Sequence, residues 1–222
     1  SLRVRAIRME AEGIHAFELV HPDGADLPPV EAGAHVDVHL PGGLVRSYSL
    51  AGDPADRTRW VLGVLREAKG RGGSRAMHEQ VRVGERLTVG HPRNAFGLRP
   101  ADGHTILLGG GIGITPLKAM AHALAAQGRP FELHYCARTP QHAAFLQELQ
   151  AITQMVDAKG QGQSYVYDAR GDLRYLDARW LRRHGVMTAR PINDRFVHAA
   201  AWADVLDGIM VMREERTPAA PE

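Results

Sequence analysis

The sequence predicts two structural parts, an antiparallel β-barrel followed by an α/β domain built on a parallel sheet. Up to about residue 90, short stretches of alternating polar and apolar residues are separated by turns rich in glycine and proline, which is typical of an antiparallel barrel. From residue 105, an apolar run leads through a glycine-rich turn into a helical pattern and then a second apolar run, which is the βαβ signature. We place the boundary in the polar link 94–103 and expect domains at 1–99 and 100–222.

Six strands and one short helix are expected in the first part. The clearest strand is 35–40, where Val36, Val38 and Leu40 form the apolar face of a strictly alternating segment. Turns such as Pro-Gly-Gly at 41–43 separate the alternating segments. A helix at 74–80 is expected to cover one end of the barrel. The predicted strands are 2–9, 17–20, 35–40, 45–50, 60–65 and 82–89.

The second part is predicted to alternate strands and helices. The helical pattern at 141–152 places Ala144, Phe145 and Leu149 on one side. Beyond residue 152 the pattern weakens, so that 176–184 suggests a helix and 196–212 fits either a helix or a strand followed by a helix. The predicted elements before those are strand 105–108, helix 117–126, strand 131–135, helix 141–152 and strand 164–167.

The composition excludes several classes of protein. With 44% hydrophobic and 23% charged residues among 222, the chain is neither disordered nor membrane-embedded, and no apolar run approaches the ~18 residues of a membrane helix. We expect no exported protein, and the single cysteine, Cys136, allows no internal disulfide, which favours the cytoplasm. The formal charge of +2 and the scattered arginines predict no nucleic-acid partner.

Two polar segments of the barrel suit a flat ring with a phosphate group. Residues 46–50, Arg-Ser-Tyr-Ser-Leu, form a strand with an aromatic wall, hydroxyl groups and an arginine that can bind phosphate. Residues 70–74, Gly-Arg-Gly-Gly-Ser, let backbone amides approach an anion closely, and Ser74 is expected to cap the short helix. The simpler interpretation is a barrel strand and a hairpin turn. We predict a flavin site, with Ser49 hydrogen-bonding the ring where hydride arrives.

A third segment suits a nucleotide. Residues 109–116, Gly-Gly-Gly-Ile-Gly-Ile-Thr-Pro, follow a buried strand and open a helix, which allows a pyrophosphate or nicotinamide to lie against backbone amides. The spacing is not that of a dinucleotide fingerprint, and the simpler interpretation is a tight strand–helix connection. Because a single glycine would suffice for such a connection, we favour a nicotinamide that docks at 110–116 and passes hydride to the flavin.

These three segments resemble the phthalate dioxygenase reductase and vanillate demethylase reductase family of the ferredoxin reductase superfamily, which serves Rieske oxygenases. The likeness covers residues 1 to about 150 well and residues 165–177 thinly. It implies a flavin-binding barrel followed by a Rossmann-like nicotinamide-binding domain, with FMN more expected than FAD and NADH as donor, although NADPH stays open. Electrons would pass to a separate oxygenase or ferredoxin. The same likeness implies that Arg138 contacts the ribose or phosphates of the nicotinamide cofactor.

The chain also departs from the family. Family members usually end in a ferredoxin domain with an iron–sulfur cluster, and we expect none here because the chain is short and has one cysteine. The family's Cys-Gly-Pro segment near the nicotinamide is not found, and 197–201, Val-His-Ala-Ala-Ala, occupies roughly its place. The departure leaves two alternatives. One is a flavin-binding subunit without enzymatic activity or with an impaired NADH site, and the other is a C-terminal segment that never forms the usual sheet.

Further polar residues are candidate sites. His35, Asp37 and His39 share one strand face at a spacing that suits a metal, but a polar outer face is the simpler interpretation and we predict no metal. His78 and His91 are interpreted as solvated, with general acid roles as the alternative. The predicted catalytic residues are Ser49 and Thr115, and the predicted cofactor-binding residues are Arg46, Ser47, Tyr48, Ser49, Leu50, Val64, Arg66, Gly72, Gly73, Ser74, Gly110, Gly111, Gly113, Thr115, Pro116 and Arg138.

Overall fold

Antiparallel strands form the first half of the fold. The computed structural model of the chain describes residues 1–98, 104–137, 139–157, 162–167, 187–188 and 210–215. Within 1–98 the six predicted strands and the predicted helix are all present, with bounds shifted by a few residues. They are β1 (Leu2–Ala11), β2 (Ile14–Val20), β3 (His35–Leu40), β4 (Leu44–Ser49), β5 (Trp60–Leu65), α1 (Gly73–Glu79) and β6 (Arg86–Val89).

The six strands pair in the order β4-β3-β6-β1-β2-β5, and each of these neighbours is antiparallel. A bridge between Leu50 and Leu62 joins β4 to β5 and so connects the two ends of the sheet. The barrel interior is filled by one side of each strand, as Val36, Val38 and Leu40 of β3 are all buried. The prediction of an antiparallel barrel is confirmed.

Strand β5 is buried almost throughout, which explains its weak alternation in the sequence. Leu62 and Val64 lie in the barrel core, whereas Val61 belongs to the core of the second half of the chain. Strand β2 behaves in the same way, with Phe17 inside the barrel and Ala16 on the opposite side. Both strands are therefore covered on two faces. A strand that is buried on both faces does not show the alternation of polar and apolar residues that marks a half-buried strand.

The second half is an α/β unit. Its strands pair in the order β10-β11-β7-β8-β9. The three strands β7, β8 and β9 are parallel, as predicted, while β10 and β11 are antiparallel additions beside β7. The elements of this half are β7 (His104–Gly110), α2 (Ile114–Ala126), β8 (Phe131–Cys136), α3 (Leu146–Asp157), β9 (Gly162–Tyr167), β10 (Met187–Thr188) and β11 (Met210–Glu215).

Several predicted bounds in this half differ from the structure. The helix expected from residue 141 begins only at Leu146, because Phe145 has a φ of 62°, which no right-handed helix contains. The ambiguous stretch 196–212 ends in β11, and β10 was not predicted. The expected helix 176–184 and the segment 197–201 lie outside the described residues. The exact domain boundary stays a prediction, because residues 99–103 also lie outside them.

One apolar core joins the two halves. Helix α2 packs Leu117, Met120 and Leu124 on the second sheet, and the same cluster includes Ile14 and Val61 from the outer side of the barrel. Burial of this shared surface fixes the barrel against α2. Within the described residues, none of the helices is long and apolar enough to cross a membrane.

Candidate functional site

Strand β4 and the glycine turn 70–74 lie side by side. Nη2 of Arg46 donates a hydrogen bond to the carbonyl oxygen of Arg71 at 2.8 Å. A Cβ atom at Gly73 would lie 2.4 Å from Cγ of Arg46 and 2.6 Å from its Nε. The arginine side chain therefore rests on the backbone of the turn, in a position that a side chain at residue 73 would exclude.

Tyr48 carries a polar atom that the protein leaves unsatisfied. Its ring packs against the barrel core, and its hydroxyl oxygen is buried without a hydrogen-bond partner among the described residues. Burial raises the pKa of Tyr48 to about 12, although the charge of Arg46 opposes the shift. The hydroxyl therefore stays protonated, and a buried donor that finds no protein acceptor fits a ligand acceptor.

The two serines of β4 lie on the other side of the strand from Tyr48, since successive side chains alternate. Oγ of Ser47 donates to Oδ1 of Asp37 at 2.6 Å, and Arg93 binds the other carboxylate oxygen. The hydrogen bond from Ser47, assisted by Arg93, lowers the pKa of Asp37. Asp37 is thus engaged by a serine and an arginine, and Ser49 is half-buried at the end of β4 opposite His35.

The glycine turn is organised differently from the prediction. Helix α1 begins after Gly72, which has a φ of 84° and occupies the N-cap position, and no side chain caps the helix. The prediction that Ser74 caps the helix was wrong, because Ser74 lies inside the first turn. Its Oγ instead accepts a hydrogen bond from the amide of Glu67 at 3.0 Å, which closes the loop on itself.

Three further predicted residues lie at the edge of this region. Leu50 and Val64 have their side chains in the barrel core. The carbonyl oxygen of Val64 is 2.8 Å from Nε2 of His78. Arg66 is exposed and pairs with Glu79 at 2.6 Å.

The histidine of α1 does not have the solvated environment that was expected. His78 is half-buried and stacks on His15, with ring centroids 4.2 Å apart. Burial lowers the pKa of His78, which favours its neutral form. His91, by contrast, is exposed.

The second glycine segment forms the connection between β7 and α2. Gly110 ends β7, Gly111 has a φ of 50°, and Gly113 precedes the helix without a side-chain cap. Thr115 is buried and its Oγ1 donates to the carbonyl oxygen of Ile112 at 2.9 Å. Pro116 lies in the first turn of α2, where its missing amide leaves no bond unmade. Arg138 lies outside the described residues.

The two predicted catalytic residues converge on Gly63. The bridge between Leu50 and Leu62 runs antiparallel, so it brings Ser49 alongside Gly63. On its other side, a Cβ atom at Gly63 would lie only 2.6 Å from Cγ2 of Thr115. Ser49 and Thr115 therefore flank the same glycine, at the line where the barrel meets α2.

Sequence reasoning missed a buried lysine at this line. Lys118 of α2 is 1% exposed, and its Nζ lies 2.6 Å from the carbonyl oxygen of Ala51 and 2.6 Å from Oε1 of Glu148. The signal was available, since this lysine is the single charged residue of α2 between residues 114 and 121. A lysine at such a position is either solvated by rotation of the helix or held by a buried partner, and the sequence does not distinguish these.

The residues present fit a flavin phosphate and ring. Arg46 and the turn 70–74 provide one cation and a close backbone approach, and Gly73 provides the space that lets them meet. The unsatisfied hydroxyl of Tyr48 lies on the Arg46 side of the same strand.

Comparison with known proteins identifies relatives of this chain. Residues 107–198 match the family model described as the oxidoreductase NAD-binding domain. The chain is 52% identical over 149 residues to the reductase subunit of tert-butanol monooxygenase / tert-amyl alcohol desaturase from Aquincola tertiaricarbonis, covering 67% of this chain and 44% of that protein. It is 51% identical over 146 residues to vanillate O-demethylase oxidoreductase from Pseudomonas sp. (strain HR199 / DSM 7063), covering 66% and 46%.

Among solved structures, phthalate dioxygenase reductase superposes with a TM-score of 0.71 at 38% identity, covering 81% of this chain and 54% of that one. That structure is described as modular, for electron transfer from pyridine nucleotides to a [2Fe-2S] centre. The chain thus spans about half the length of the relatives it matches. By its antiparallel barrel, its α/β unit and its sequence, the chain belongs to the phthalate dioxygenase reductase and vanillate demethylase reductase family, with a ferredoxin reductase-like fold.

Proposed function

We propose that this chain is the flavin- and nicotinamide-binding part of an oxygenase reductase, which takes electrons from NADH and passes them through FMN to a separate oxygenase or ferredoxin. The observation that carries the proposal is the contact between Arg46 and the turn 70–74, next to the unsatisfied hydroxyl of Tyr48. The named reductase subunits among the relatives support the same reaction class. We also propose a cytoplasmic location, supported by the single cysteine.

Each segment has a proposed role in binding. Arg46 would pair with the flavin phosphate, which would also accept hydrogen bonds from the backbone amides of Gly72, Gly73 and Ser74. Tyr48 would form a wall of the ring site and donate its hydroxyl hydrogen. Ser49 lies on the opposite face from Tyr48 but ends β4, and from there it would hydrogen-bond the ring at the edge nearest Thr115. One compact cradle with a single arginine from the strand suits the terminal phosphate of FMN, which is why we favour FMN over FAD.

The second glycine segment would position the nicotinamide. Helix α2 begins without a side-chain cap, so its N-terminal dipole is available to an anion beside Gly111 and Gly113. Thr115 and Gly63 would set the depth to which the nicotinamide approaches Ser49. A bound flavin would supply the chemistry that accepts two electrons as hydride and releases them one at a time. The protein contributes orientation of the two rings and exclusion of water between them.

The test of this function is anaerobic reduction of the reconstituted chain. FMN is titrated into the purified protein while its visible spectrum and fluorescence are followed, and NADH is then added without oxygen. We expect bound flavin bands that NADH bleaches. An Arg46→Met variant should bind FMN at least tenfold more weakly, because a phosphate loses its charged partner. Absence of bound flavin in the wild-type chain would refute the proposal.

The control in this test is dithionite. A bound flavin that dithionite reduces and NADH does not would contradict the reductase proposal and support a flavin-holding subunit without activity. Repeating the reduction with NADPH measures the choice of nicotinamide.

The Tyr48→Phe variant separates the role of the hydroxyl in binding from any role in folding. Without flavin, we expect the variant to be at least as stable as the wild type, because it removes a buried donor that has no partner. With FMN, we expect weaker binding by about 1 kcal/mol, the size of one net hydrogen bond. Thermal melts with and without FMN measure both effects. A variant that is less stable without flavin and binds FMN normally would show that the hydroxyl serves the fold.

A further inference from the structure

A buried lysine that the proposed function does not use lies between the barrel and α2. Lys118 is buried, and a buried ammonium is costly unless each of its hydrogens finds a partner. It has three partners: the carbonyl of Ala51 after β4, the carboxylate of Glu148 on α3, and the ring of Phe145 just before α3, whose centroid is 5.0 Å away. The lysine therefore connects the barrel, α2 and α3 at one point.

The partners of Lys118 are themselves held in place. Ala51 is fully buried, and its amide donates to the carbonyl oxygen of Val61 on β5 at 2.8 Å. Glu148 also lies 3.2 Å from Nε2 of His122. Phe145 keeps a φ of 62°, a backbone conformation that is strained for a residue with a side chain and persists only where packing imposes it.

The charges around the pair support an ion pair. Burial would raise the pKa of Glu148, but the hydrogen bond from His122 and the charge of Lys118 outweigh it and lower the pKa to about 2. Burial lowers the pKa of Lys118, and the charge of Glu148 opposes that shift. A carboxylate 2.6 Å from an amine stabilises the protonated amine, so Lys118 and Glu148 form an ion pair.

The contact with Ala51 reaches the predicted reaction site. Ala51 is two residues from Ser49, and Lys118 is three residues from Thr115 on α2. We infer that Lys118 is a positioning residue, which fixes the end of β4 against the start of α2 and so sets the distance between the flavin ring and the nicotinamide. This inference rests on the proposed function, and it assigns to Lys118 no contact with either ring.

The test compares Lys118→Met with Arg57→Met. Methionine keeps the length of the lysine stem and removes its donors. Arg57 is the matched control, because it also joins a carbonyl, that of Leu27 at 3.0 Å, to a carboxylate, that of Asp26 at 3.7 Å, but within the barrel. Glu148→Gln is the milder variant, since it keeps the bond to Ala51 and removes the charge beside it.

Two readouts are measured. In the protein without flavin, amide hydrogen exchange of residues 49–52 should be at least tenfold faster in Lys118→Met and unchanged in Arg57→Met. With FMN bound, the rate of reduction by NADH in rapid mixing should fall at least tenfold in Lys118→Met while the FMN Kd stays within about twofold, because a misplacement of about 1 Å can cost that much. Glu148→Gln should lie between Lys118→Met and the wild type in both.

The outcomes of these measurements decide whether Lys118 is a positioning residue. A Lys118→Met protein with a lower melting temperature but unchanged exchange and reduction rate would overturn the inference, because it would show a role in stability alone. A weaker FMN Kd with a normal reduction rate would overturn it too. If the wild-type chain binds FMN but NADH does not reduce it, the proposed function fails separately, and the exchange of residues 49–52 then decides whether Lys118 holds this strand end.

Discussion

The Gly33→Ala variant is expected to lose about 3 kcal/mol of unfolding free energy, the largest loss expected from any single methyl group added to the barrel. Gly33 has a φ of 93° in the turn closed by the bond from the amide of Ala34 to the carbonyl oxygen of Glu31. A Cβ atom there would lie 1.8 Å from the carbonyl oxygen of Phe96, a backbone atom that no rotamer change removes. The segment that leads towards the α/β unit would therefore have to move.

The matched control is Gly84→Ala. Gly84 has a φ of 92° in a turn of the same kind, closed between Arg82 and Glu85, but no atom lies within 4 Å of its added Cβ. The control should lose only the cost of the backbone conformation, about 1 kcal/mol. Urea unfolding of both variants, followed by tryptophan fluorescence, measures the difference. Equal midpoints would show that the contact with Phe96 relaxes without cost.

The Gly63→Ala variant is expected to bind FMN normally and to be reduced by NADH at least tenfold more slowly. The new Cβ would lie 2.6 Å from Cγ2 of Thr115 and 3.1 Å from the ring of Phe145, so α2 must move away by about 1 Å to reach ordinary contact. Because β5 is paired along its length, the barrel side cannot yield as easily. The displacement would separate the nicotinamide segment from Ser49, and a shift of about 1 Å is enough for a large loss of rate.

Two further variants test the Gly63 result. Gly52→Ala adds a methyl group only 3.6 Å from Cγ2 of Val61, an ordinary contact, and should be reduced at the wild-type rate. Adding Thr115→Ser to Gly63→Ala removes Cγ2 and keeps the hydroxyl, so it should restore part of the rate. Anaerobic rapid mixing with NADH measures all three. Slow reduction without rescue by serine would place the effect of Gly63 elsewhere than at Thr115.

Much of the fold could be predicted from the sequence, because the local residue patterns correspond to the strands and helices of the structure. Strand β3 was predicted to the residue, since it has one buried and one polar side and alternation marks such a strand directly. Strand β5 was placed correctly. Its weak alternation is explained by the tertiary structure, because α2 covers its outer side. The helix start at Leu146 was missed, because the positive φ of Phe145 depends on contacts with Gly63 and Lys118 that come from other elements.

The candidate site also has features that the sequence predicted and features that only the structure showed. The motifs at 46–50, 70–74 and 109–116 could be recognised in sequence because each is local and chemically specific. That Arg46 rests on Gly73, or that Ser74 bonds back to Glu67 and does not cap α1, depends on side-chain geometry across the turn. Lys118 was missed for a related reason: its partners lie 67 residues before it and 30 residues after it.

By itself, the sequence determined the two-part architecture, the family and the three segments proposed to bind cofactors, because residue periodicity and short motifs report local physical demands. Only the tertiary structure decided how these segments meet: the closing bridge from Leu50 to Leu62, the approach of Thr115 to Gly63, and the buried lysine that joins barrel to helix. Those contacts depend on the packing of elements that are distant in sequence. The free-energy cost of burying a charge or a methyl group there depends on neighbouring residues that the local sequence does not identify.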